Sequence, residues 1–570
     1  MRKRRGLSAK GWLLAVVLSI TVTIGFVAAT GDRRNFELVK NLDIFYTLFR
    51  ELNSYYVDEI NPEKLIKTGI DAMLESLDPY TSFIPESEMD DFRFMTTGEY
   101  AGIGALITKR GRYVVISEPY EGFPAQEAGL KAGDRILEID GKDMKDKETS
   151  FVSDRLKGPA GTQINVLVKR PGIDKELMIT INRRMIQINP VPYYGMVNNE
   201  TGLIILNNFT QECAREVERA FTDLKNNHGM KSLILDLRGN PGGLMDEAVK
   251  IANLFLPRGS EVVSTRGKVS QWDKTYRAPR EPIDTVMPLA VLINRGSASA
   301  SEIVAGAIQD HDRGLVIGQR SFGKGLVQTT RSLAYNTSLK VTTAKYYIPS
   351  GRCIQAVDYS NRNEDGSVGL IPDSLMKAFK TKGGRTVFDG GGISPDITIT
   401  PERFANITFA LMAQQTIFDF STEFAAKTPT IAKPEKFQIT DEMYNAFKDY
   451  VSNLEEFRYE SQSQEQFRKL KSVAQREEYF KLAEEAFKEL EVLLTPNATR
   501  DLEIFREEVS ELLSMELIRR YYFQRGAIIF NIGRDKEIKE ASNVLANKSE
   551  YRDMLNGTVL THAGDKRMNN

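Results

Sequence analysis

The sequence predicts a multidomain α/β protein: a helical N-terminal segment, a small glycine-rich β domain, an α/β core and an all-α C-terminal extension. Three patterns support this prediction. Apolar residues recur at helical spacing from Phe36 to about Phe94 and again beyond Pro401. Short strands and glycines fill 98–184. Beyond Asn189, strand and helix patterns alternate, which is typical of a sheet with crossover helices.

The composition excludes several classes of function. The formal net charge of -1 leaves no excess of lysine and arginine for phosphates, so a nucleic-acid partner is not expected. The chain has only three histidines, His228, His311 and His562, which makes a Ser-His-Asp triad a poor expectation. The two cysteines, Cys213 and Cys353, could pair in an exported protein, but we expect buried thiols. Histidines and cysteines show no metal-ligand spacing, so neither metal nor cofactor is expected.

The first 33 residues predict a targeting segment. A basic stretch, MRKRRGLSAK, precedes the almost wholly apolar and uncharged residues 11–30. This length suits a membrane anchor, although a long signal peptide with weak cleavage chemistry at 27–29 stays open. Because the basic flank stays in the cytoplasm, the remaining chain is expected to be exported. The expected location is the periplasmic side of the inner membrane, with the protein anchored or released.

The stretch 289–328 carries the chemistry. It begins as a strand, a tight turn and a helix, and three serines, Ser297, Ser299 and Ser301, fall at the turn. A hydroxyl there lies beside unpaired N–H groups and the positive end of the helix dipole, which would stabilise an oxyanion. Spacing alone does not separate the three serines. The pattern that ends at Glu302 also fits a capping box, in which a serine only caps the helix.

Lys324 stands between two glycines in Ser-Phe-Gly-Lys-Gly. The glycines would let the backbone enter a crowded place, and a desolvated, neutral lysine can take a hydroxyl proton without histidine. A lone lysine is otherwise a solvated surface residue. Residues 318–324 also fit the first part of a phosphate-binding loop. However, Gly325 replaces the required Ser or Thr and a strand-like run follows, so phosphate binding is not expected.

The residues Arg238-Gly-Asn-Pro-Gly-Gly243 follow another predicted strand, 233–237. Backbone N–H groups at the glycines of such a turn are candidates for an oxyanion hole. The same residues could instead form only a connection between a strand and a helix.

The chain from 36 to 400 resembles the C-terminal processing peptidases, the tail-specific serine proteases of peptidase family S41 that use a Ser/Lys dyad. The match rests on Ser-Ala-Ser-Glu at 299–302, on Phe-Gly-Lys-Gly around Lys324, and on Gln328 four residues later. The resemblance implies that Ser299 is the nucleophile, that Lys324 is the general base and that Gln328 orients the lysine. It assigns the oxyanion hole to the backbone N–H groups of Gly243 and Ala300.

The glycine-rich segment 96–186 resembles a PDZ domain, whose carboxylate-binding loop receives a peptide C-terminus while the peptide adds as an edge strand. A helix starting within 125–129 is expected beside this groove. The same pattern also fits a small β domain without a ligand. By the resemblance, the peptide-binding residues are Ala101, Gly102, Ile103 and Gly104.

These observations predict a serine endopeptidase that binds protein C-termini and processes or degrades exported proteins. The alternative is a catalytically inactive PDZ scaffold or chaperone, although the joint presence of Ser299, Lys324 and Gln328 argues against it. The C-terminal extension would assemble a homo-oligomer or restrict substrate entry. The expected segments are 1–33 (anchor or signal peptide), 34–95 (helical), 96–186 (PDZ), 187–400 (protease core) and 401–570 (helical).

Overall fold

The structure is a computed structural model that describes residues 36–362, 367–401 and 403–558. Its chain divides into two compact units, Met1–Phe83 and Ile84–Asn570. The predicted membrane segment lies outside the described residues. Within the described ranges, no helix combines the length and apolar character that crossing a bilayer requires.

The first unit confirms the helical pattern of the sequence with helices α1 (36–55) and α2 (Pro62–Glu75). Asn61 caps α2, because its side chain accepts the N–H of Lys64 at 3.0 Å. A proline at the first helical position has no N–H to leave unpaired, so α2 begins there. A short strand, β1 (Ser82–Ile84), lies where the two units meet in sequence.

The second unit opens with helix α3 (Met89–Thr97) and continues into a β domain. The antiparallel sheet of this domain has the order β3-β4-β5-β7-β8, with β6 on β5, while β2 pairs with β9. Its elements are β2 (Glu99–Gly102), β3 (Ala105–Arg110), β4 (Tyr113–Pro119), α4 (Pro124–Glu127), β5 (Arg135–Ile139), β6 (Lys142–Asp143), α5 (Thr149–Leu156), β7 (Gln163–Lys169), β8 (Glu176–Asn182) and β9 (Arg184–Gln187).

The edge strand β3 is bordered by α5. The prediction that a helix starting within 125–129 lies beside the peptide groove is wrong. The helix at this place, α4, ends after one turn and contacts β8. Alternate residues of β7, Ile164, Val166 and Val168, are fully buried. This period of two gives the domain its core.

The α/β core follows, and its strand and helix alternation confirms the prediction. Its main sheet has the order β10-β11-β12-β15-β16-β23, in which only the β10 pairing is antiparallel. Its elements are β10 (Tyr193–Met196), β11 (Thr201–Ile205), α6 (Cys213–Asn227), β12 (Ser232–Asp236), α7 (Met245–Phe255), β13 (Glu261–Gly267), β14 (Lys274–Arg277), β15 (Leu289–Ile293), α8 (Ala300–Asp310), β16 (Leu315–Gly318), β17 (Leu326–Ser332), β18 (Ser338–Tyr347), β19 (Val357–Arg362), β20 (Val368–Leu370), β21 (Ala378–Lys380), β22 (Thr386–Phe388) and β23 (Ile397–Thr398).

The order of the main sheet positions the candidate site. Because β12 and β15 are parallel neighbours, the turns that follow them meet at one edge of the sheet. These turns contain Gly243 and Ser299. A second, antiparallel arrangement pairs β14 with β13, β13 with β18 and β18 with β17. The connection from β16 into β17 carries Lys324.

The C-terminal part is helical, as predicted. Its helices are α9 (Asn406–Ala413), α10 (Thr416–Lys427), α11 (Asp441–Ser452), α12 (Gln462–Arg476), α13 (Glu484–Leu494), α14 (Ala498–Ile504), α15 (Arg506–Ile532), α16 (Lys536–Ala546) and α17 (Lys548–Leu555).

The last of these helices complete the α/β core. Helices α6, α7 and α8 contribute to one apolar cluster with the main sheet. Apolar side chains of α16, among them Ile538 and Val544, form a different cluster with the strand residues Ile234 and Leu292. The helical extension therefore covers a face of the sheet that the core helices leave open.

Candidate active site

Ser299 lies at the turn between β15 and α8, immediately before the first helical residue. Its backbone angles, φ 54° and ψ −111°, are rare for a residue with a side chain. Such a conformation costs about 1–3 kcal/mol and persists only where neighbouring contacts fix it, typically at functional positions. The residue is partly exposed.

The two competing serines are structural. Ser297 is fully buried, and its hydroxyl donates to the carbonyl of Leu237 at 2.8 Å while it accepts the N–H of Asn294. Ser301 is also fully buried, and its hydroxyl donates to the carbonyl of Asn240 at 2.9 Å. Of the three serines that spacing could not separate, only Ser299 is partly exposed.

Lys324 is partly buried in the connection between β16 and β17. A Cβ atom on Gly323, whose φ is 86°, would lie 2.3 Å from the Cβ of Ala356. A Cβ atom on Gly325 would lie 2.8 Å from the backbone nitrogen of Gln355. No other residue type fits such approaches, so the predicted role of the glycines is confirmed.

Glu302 connects the serine turn to the lysine loop. One carboxylate oxygen, Oε2, accepts the N–H groups of both Ser299 and Lys324, each at 2.9 Å. The two backbone nitrogens can therefore be no farther apart than twice that distance. The other oxygen, Oε1, accepts the Gly323 N–H at 2.7 Å and the hydroxyl of Ser321. The structure thus brings the backbones of the two predicted dyad residues together at one edge of the sheet.

Tyr346 of β18 makes a second link between the same two segments. Its hydroxyl is within hydrogen-bonding distance of the carbonyl of Ser299, at 3.2 Å, and of the carbonyl of Lys324. The tyrosine is only 1 % exposed. Glu302 therefore holds the N–H groups of Ser299 and Lys324, and Tyr346 contacts their carbonyl groups. The sequence placed Glu302 in a possible capping box and in the family motif but did not predict that it joins the two segments, and it gave Tyr346 no role.

Glu302 is fully buried, and this sets its proton affinity. Burial raises the pKa of its carboxyl to about 7, although Ser321 and the N–H groups of Gly323, Lys324 and Ser299 favour the charged form. The group that joins the dyad segments consequently titrates near neutral pH.

The turn from Arg238 to Gly243 packs directly on Ser299. A Cβ atom on Gly242 would lie 2.8 Å from the Cβ of Ser299 and 3.0 Å from the nitrogen of Ala300. Phe209 donates its N–H to the carbonyl of Gly242 and accepts the N–H of Leu244. Because successive backbone groups alternate in direction, the N–H of Gly243 points away from Phe209.

The predicted oxyanion donors fit this arrangement. In the part of the chain that the structure describes, the N–H groups of Gly243 and Ala300 have no protein acceptor. The carbonyl of Asn240 accepts the Ala298 N–H at 3.0 Å, and the side chain of Asn294 accepts the Gly239 N–H at 2.8 Å. These asparagines hold the two turns together, a role that carries no local sequence signal.

The remaining predicted catalytic residue, Gln328, lies on β17. Its side-chain amide donates to the hydroxyl of Thr342 on β18 at 3.3 Å. Its orienting action on Lys324 stays a prediction. His311 ends α8 and bonds to the carbonyl of Glu261, while His228 is exposed at the end of α6. Neither of these two histidines is beside Ser299.

The four predicted peptide-binding residues divide between a strand and a loop. Ala101 and Gly102 belong to β2 and pair with β9, whereas Ile103 and Gly104 form the connection to β3. Two further bonds fix this loop: the Ala125 N–H donates to the carbonyl of Ile103 at 2.7 Å, and Tyr120 donates to Gly104.

The phenol of Tyr100 occupies the same loop. Burial raises its pKa to about 12, while hydrogen bonds from the backbone of Gly104 and Ala105 oppose that rise. The ring packs edge-on against Phe94, with 5.2 Å between ring centroids. The tyrosine oxygen therefore faces the backbone of Gly104, one of the residues that the resemblance assigns to a peptide carboxylate.

Family models match most of the second unit. Residues 200–374 match peptidase family S41, residues 115–170 match a PDZ domain, and residues 407–545 match the C-terminal helical domain of a probable PDZ-protease.

The two cysteines are free, with Cys213 buried and Cys353 partly buried.

Individual proteins are similar over more than half of the chain. A carboxy-terminal-processing protease of Bartonella bacilliformis is 40% identical over 341 residues, which cover 59% of this chain and 75% of the relative. A probable CtpA-like serine protease of Staphylococcus aureus is 35% identical over 55% of this chain and 62% of the relative. The solved photosystem II D1 C-terminal processing protease is 31% identical, with a TM-score of 0.35 over 63% of this chain and 92% of that one.

Proposed function

The chain belongs to the carboxy-terminal-processing proteases of peptidase family S41, which are serine peptidases, and from this premise we propose an endopeptidase with a Ser299/Lys324 dyad. The observation that carries the proposal is the single carboxylate oxygen of Glu302 that accepts both backbone N–H groups. Ser299 and Lys324 are distant in sequence, so their N–H groups can donate to one oxygen atom only if the fold brings the two segments into one site. The enzyme is a hydrolase of proteins.

In the proposed reaction, the Ser299 hydroxyl attacks the scissile carbonyl while the neutral amine of Lys324 takes its proton. The N–H groups of Gly243 and Ala300 hold the oxyanion of the tetrahedral intermediate. The lysine then returns the proton to the leaving amine, and water hydrolyses the acyl-enzyme by the same steps. Gln328 orients the lysine in this scheme. The strained turn at Ser299 and the buried partners of Ser297 and Ser301 support the choice of nucleophile.

The proposed substrates are exported proteins whose free C-terminus enters the PDZ domain. The strand β3 is at the edge of its sheet, so a peptide can pair with it, and α5 forms the other wall. The loop of Ile103 and Gly104 would take the terminal carboxylate. The basic and apolar N-terminal sequence supports export and tethering on the periplasmic side of the inner membrane.

The test is an unstructured reporter peptide with an apolar last residue, prepared as the free acid and as the C-terminal amide. We expect cleavage near that end, with kcat/KM about tenfold or more lower for the amide, because a hydrogen bond to a charged group contributes about 1.5–3 kcal/mol. Mass spectrometry locates the cut. Equal cleavage of both forms would disprove C-terminal capture. Binding without any cleavage would instead favour an inactive scaffold.

Tyr100→Phe should tighten binding of the same peptide by roughly fivefold, because a net hydrogen bond of about 1 kcal/mol no longer competes with the incoming carboxylate. Titration of the full-length protein with a labelled peptide measures the affinity. Tyr113→Phe, on β4 of the same domain, is the matched control and should change nothing. An equal or lower affinity of Tyr100→Phe would show that the phenol does not compete with the peptide.

A further inference from the structure

We refer to the turn from Arg238 to Gly243 as the oxyanion turn. Its first residue, Arg238, is bound by carboxylates from two distant parts of the chain. Its guanidinium contacts Asp236 at 2.6–3.0 Å through Nε and Nη2. Its Nη1 donates to Asp535 at 2.8 Å and to Glu537. We refer to Asp535 and Glu537, which come from the helical extension, as the acidic pair.

The contact is largely buried. The side chain of Arg238 is 18% exposed, and those of Asp535 and Glu537 are 9% and 12% exposed. Burial opposes the charged guanidinium, but Asp236 and the acidic pair raise the pKa of Arg238 above its ordinary value. Ion pairs in such surroundings fix geometry, because separating the partners leaves a buried charge without compensation.

The acidic pair is itself rigidly placed. Asp535 caps α16 by accepting the N–H groups of Glu537 and Ile538 at 2.9 Å and 3.0 Å. The apolar side chains of α16 pack on the main sheet, against strands that include β12 and β15. The two carboxylates therefore stand at a fixed position beyond the strands that lead to Gly243 and Ser299.

The guanidinium transmits this position to the catalytic turn. Arg238 also donates its own N–H to Asp236 at 2.9 Å, so its backbone is tied to the end of β12. The next residues of the turn place Gly242 against Ser299 and leave the Gly243 N–H without a protein acceptor within the described residues. Displacement of Arg238 would thus move an oxyanion donor relative to the nucleophile.

We propose that Asp535 and Glu537 are positioning residues for the reaction, which hold Arg238 and through it the oxyanion turn in its productive geometry. This inference rests on the proposed function, because it assigns a part in that reaction to the helical extension. The acidic pair does not touch substrate. It lowers the barrier by keeping the Gly243 N–H directed at the developing oxyanion, where hydrogen-bond donors act most strongly when preorganised.

The test compares the full-length wild type with Asp535→Asn, Glu537→Gln and the double variant. Asparagine keeps the helix cap, and both changes keep shape while they remove charge. We expect kcat of the reporter to fall about tenfold in the double variant, less than the 10²–10³ for loss of an oxyanion donor. KM and the affinity of the PDZ domain for the peptide should stay within twofold of wild type. The affinity for a peptide boronate, which forms a tetrahedral adduct with serine, should fall by the same factor as kcat.

Glu516→Gln is the matched control. It removes a carboxylate 2.8 Å from the buried Arg520 within the same extension but away from the oxyanion turn. This control should lower the melting temperature without changing kcat or boronate affinity. Unchanged kcat in the double variant would overturn the inference, and so would a loss of kcat that the control reproduces. A wild type that neither cleaves the reporter nor binds the boronate would overturn the proposed function as well.

Discussion

Ser299→Ala is expected to lower kcat/KM for the reporter by about 10³-fold or more, because the chain then lacks the nucleophile and keeps only its oxyanion donors. Peptide affinity should not change, since the PDZ groove is separate from the turn at Ser299. Cleavage assays and peptide titration of the same preparation measure the two quantities. An activity that persists at wild-type level would mean that another residue attacks the substrate.

Lys324→Met tests the other half of the same dyad. Methionine keeps the length of the side chain and removes the amine, so the loss should match that of Ser299→Ala. Because the two residues act as a unit, the double variant should be no worse than either single one. Lys345→Met on β18, an exposed lysine paired with Leu326, is the matched control and should retain activity. Losses that multiply in the double variant would contradict a shared proton.

Glu302→Ala should destabilise the protein by about 3–5 kcal/mol, since it leaves four donors in a buried site without their acceptor. Activity should fall with it, because the segments of Ser299 and Lys324 lose their common oxygen. Urea denaturation and the reporter assay measure both effects. Stability close to wild type would mean that water or neighbouring groups replace the carboxylate.

The charge of Glu302 also predicts a pH dependence of stability. The pKa of this carboxyl is about 7 in the folded protein and 4.5 ordinarily, so between these values the native state binds the extra proton. Its contribution to stability is therefore complete below pH 4.5 and is lost as pH rises through about 7. The whole change amounts to about 3 kcal/mol. Glu302→Gln cannot titrate and should not show this pH-dependent change in stability. The difference in unfolding free energy between the wild type and Glu302→Gln should therefore change from pH 5 to pH 8. A constant difference would show that the carboxyl is ionised throughout.

The parts of this protein that follow local patterns were predictable from its sequence. The turn at Ser299, the strand after Lys324 and the crossover helices all follow from spacing, turn residues and apolar periodicity. The resemblance added the choice among three serines, and the buried partners of Ser297 and Ser301 now give a physical reason for it.

What the sequence did not predict depends on contacts between distant segments. The four donors on Glu302 come from residues up to 22 positions away, and its only local signal was a helix cap. The acidic pair lies 297 and 299 positions from Arg238, so no window of sequence could join them. The short helix at 124–127 was mistaken for the wall of the groove because pattern does not tell which helix packs on which strand.

The packing of α16 on the main sheet has a consequence for biosynthesis. A ribosome makes every strand of that sheet long before it makes α16, so the nascent chain carries bare apolar strand surface until α16 has been synthesised. Fragments from premature termination would lack this cover and aggregate or be degraded. The protease core therefore stays incomplete until α16 covers the sheet.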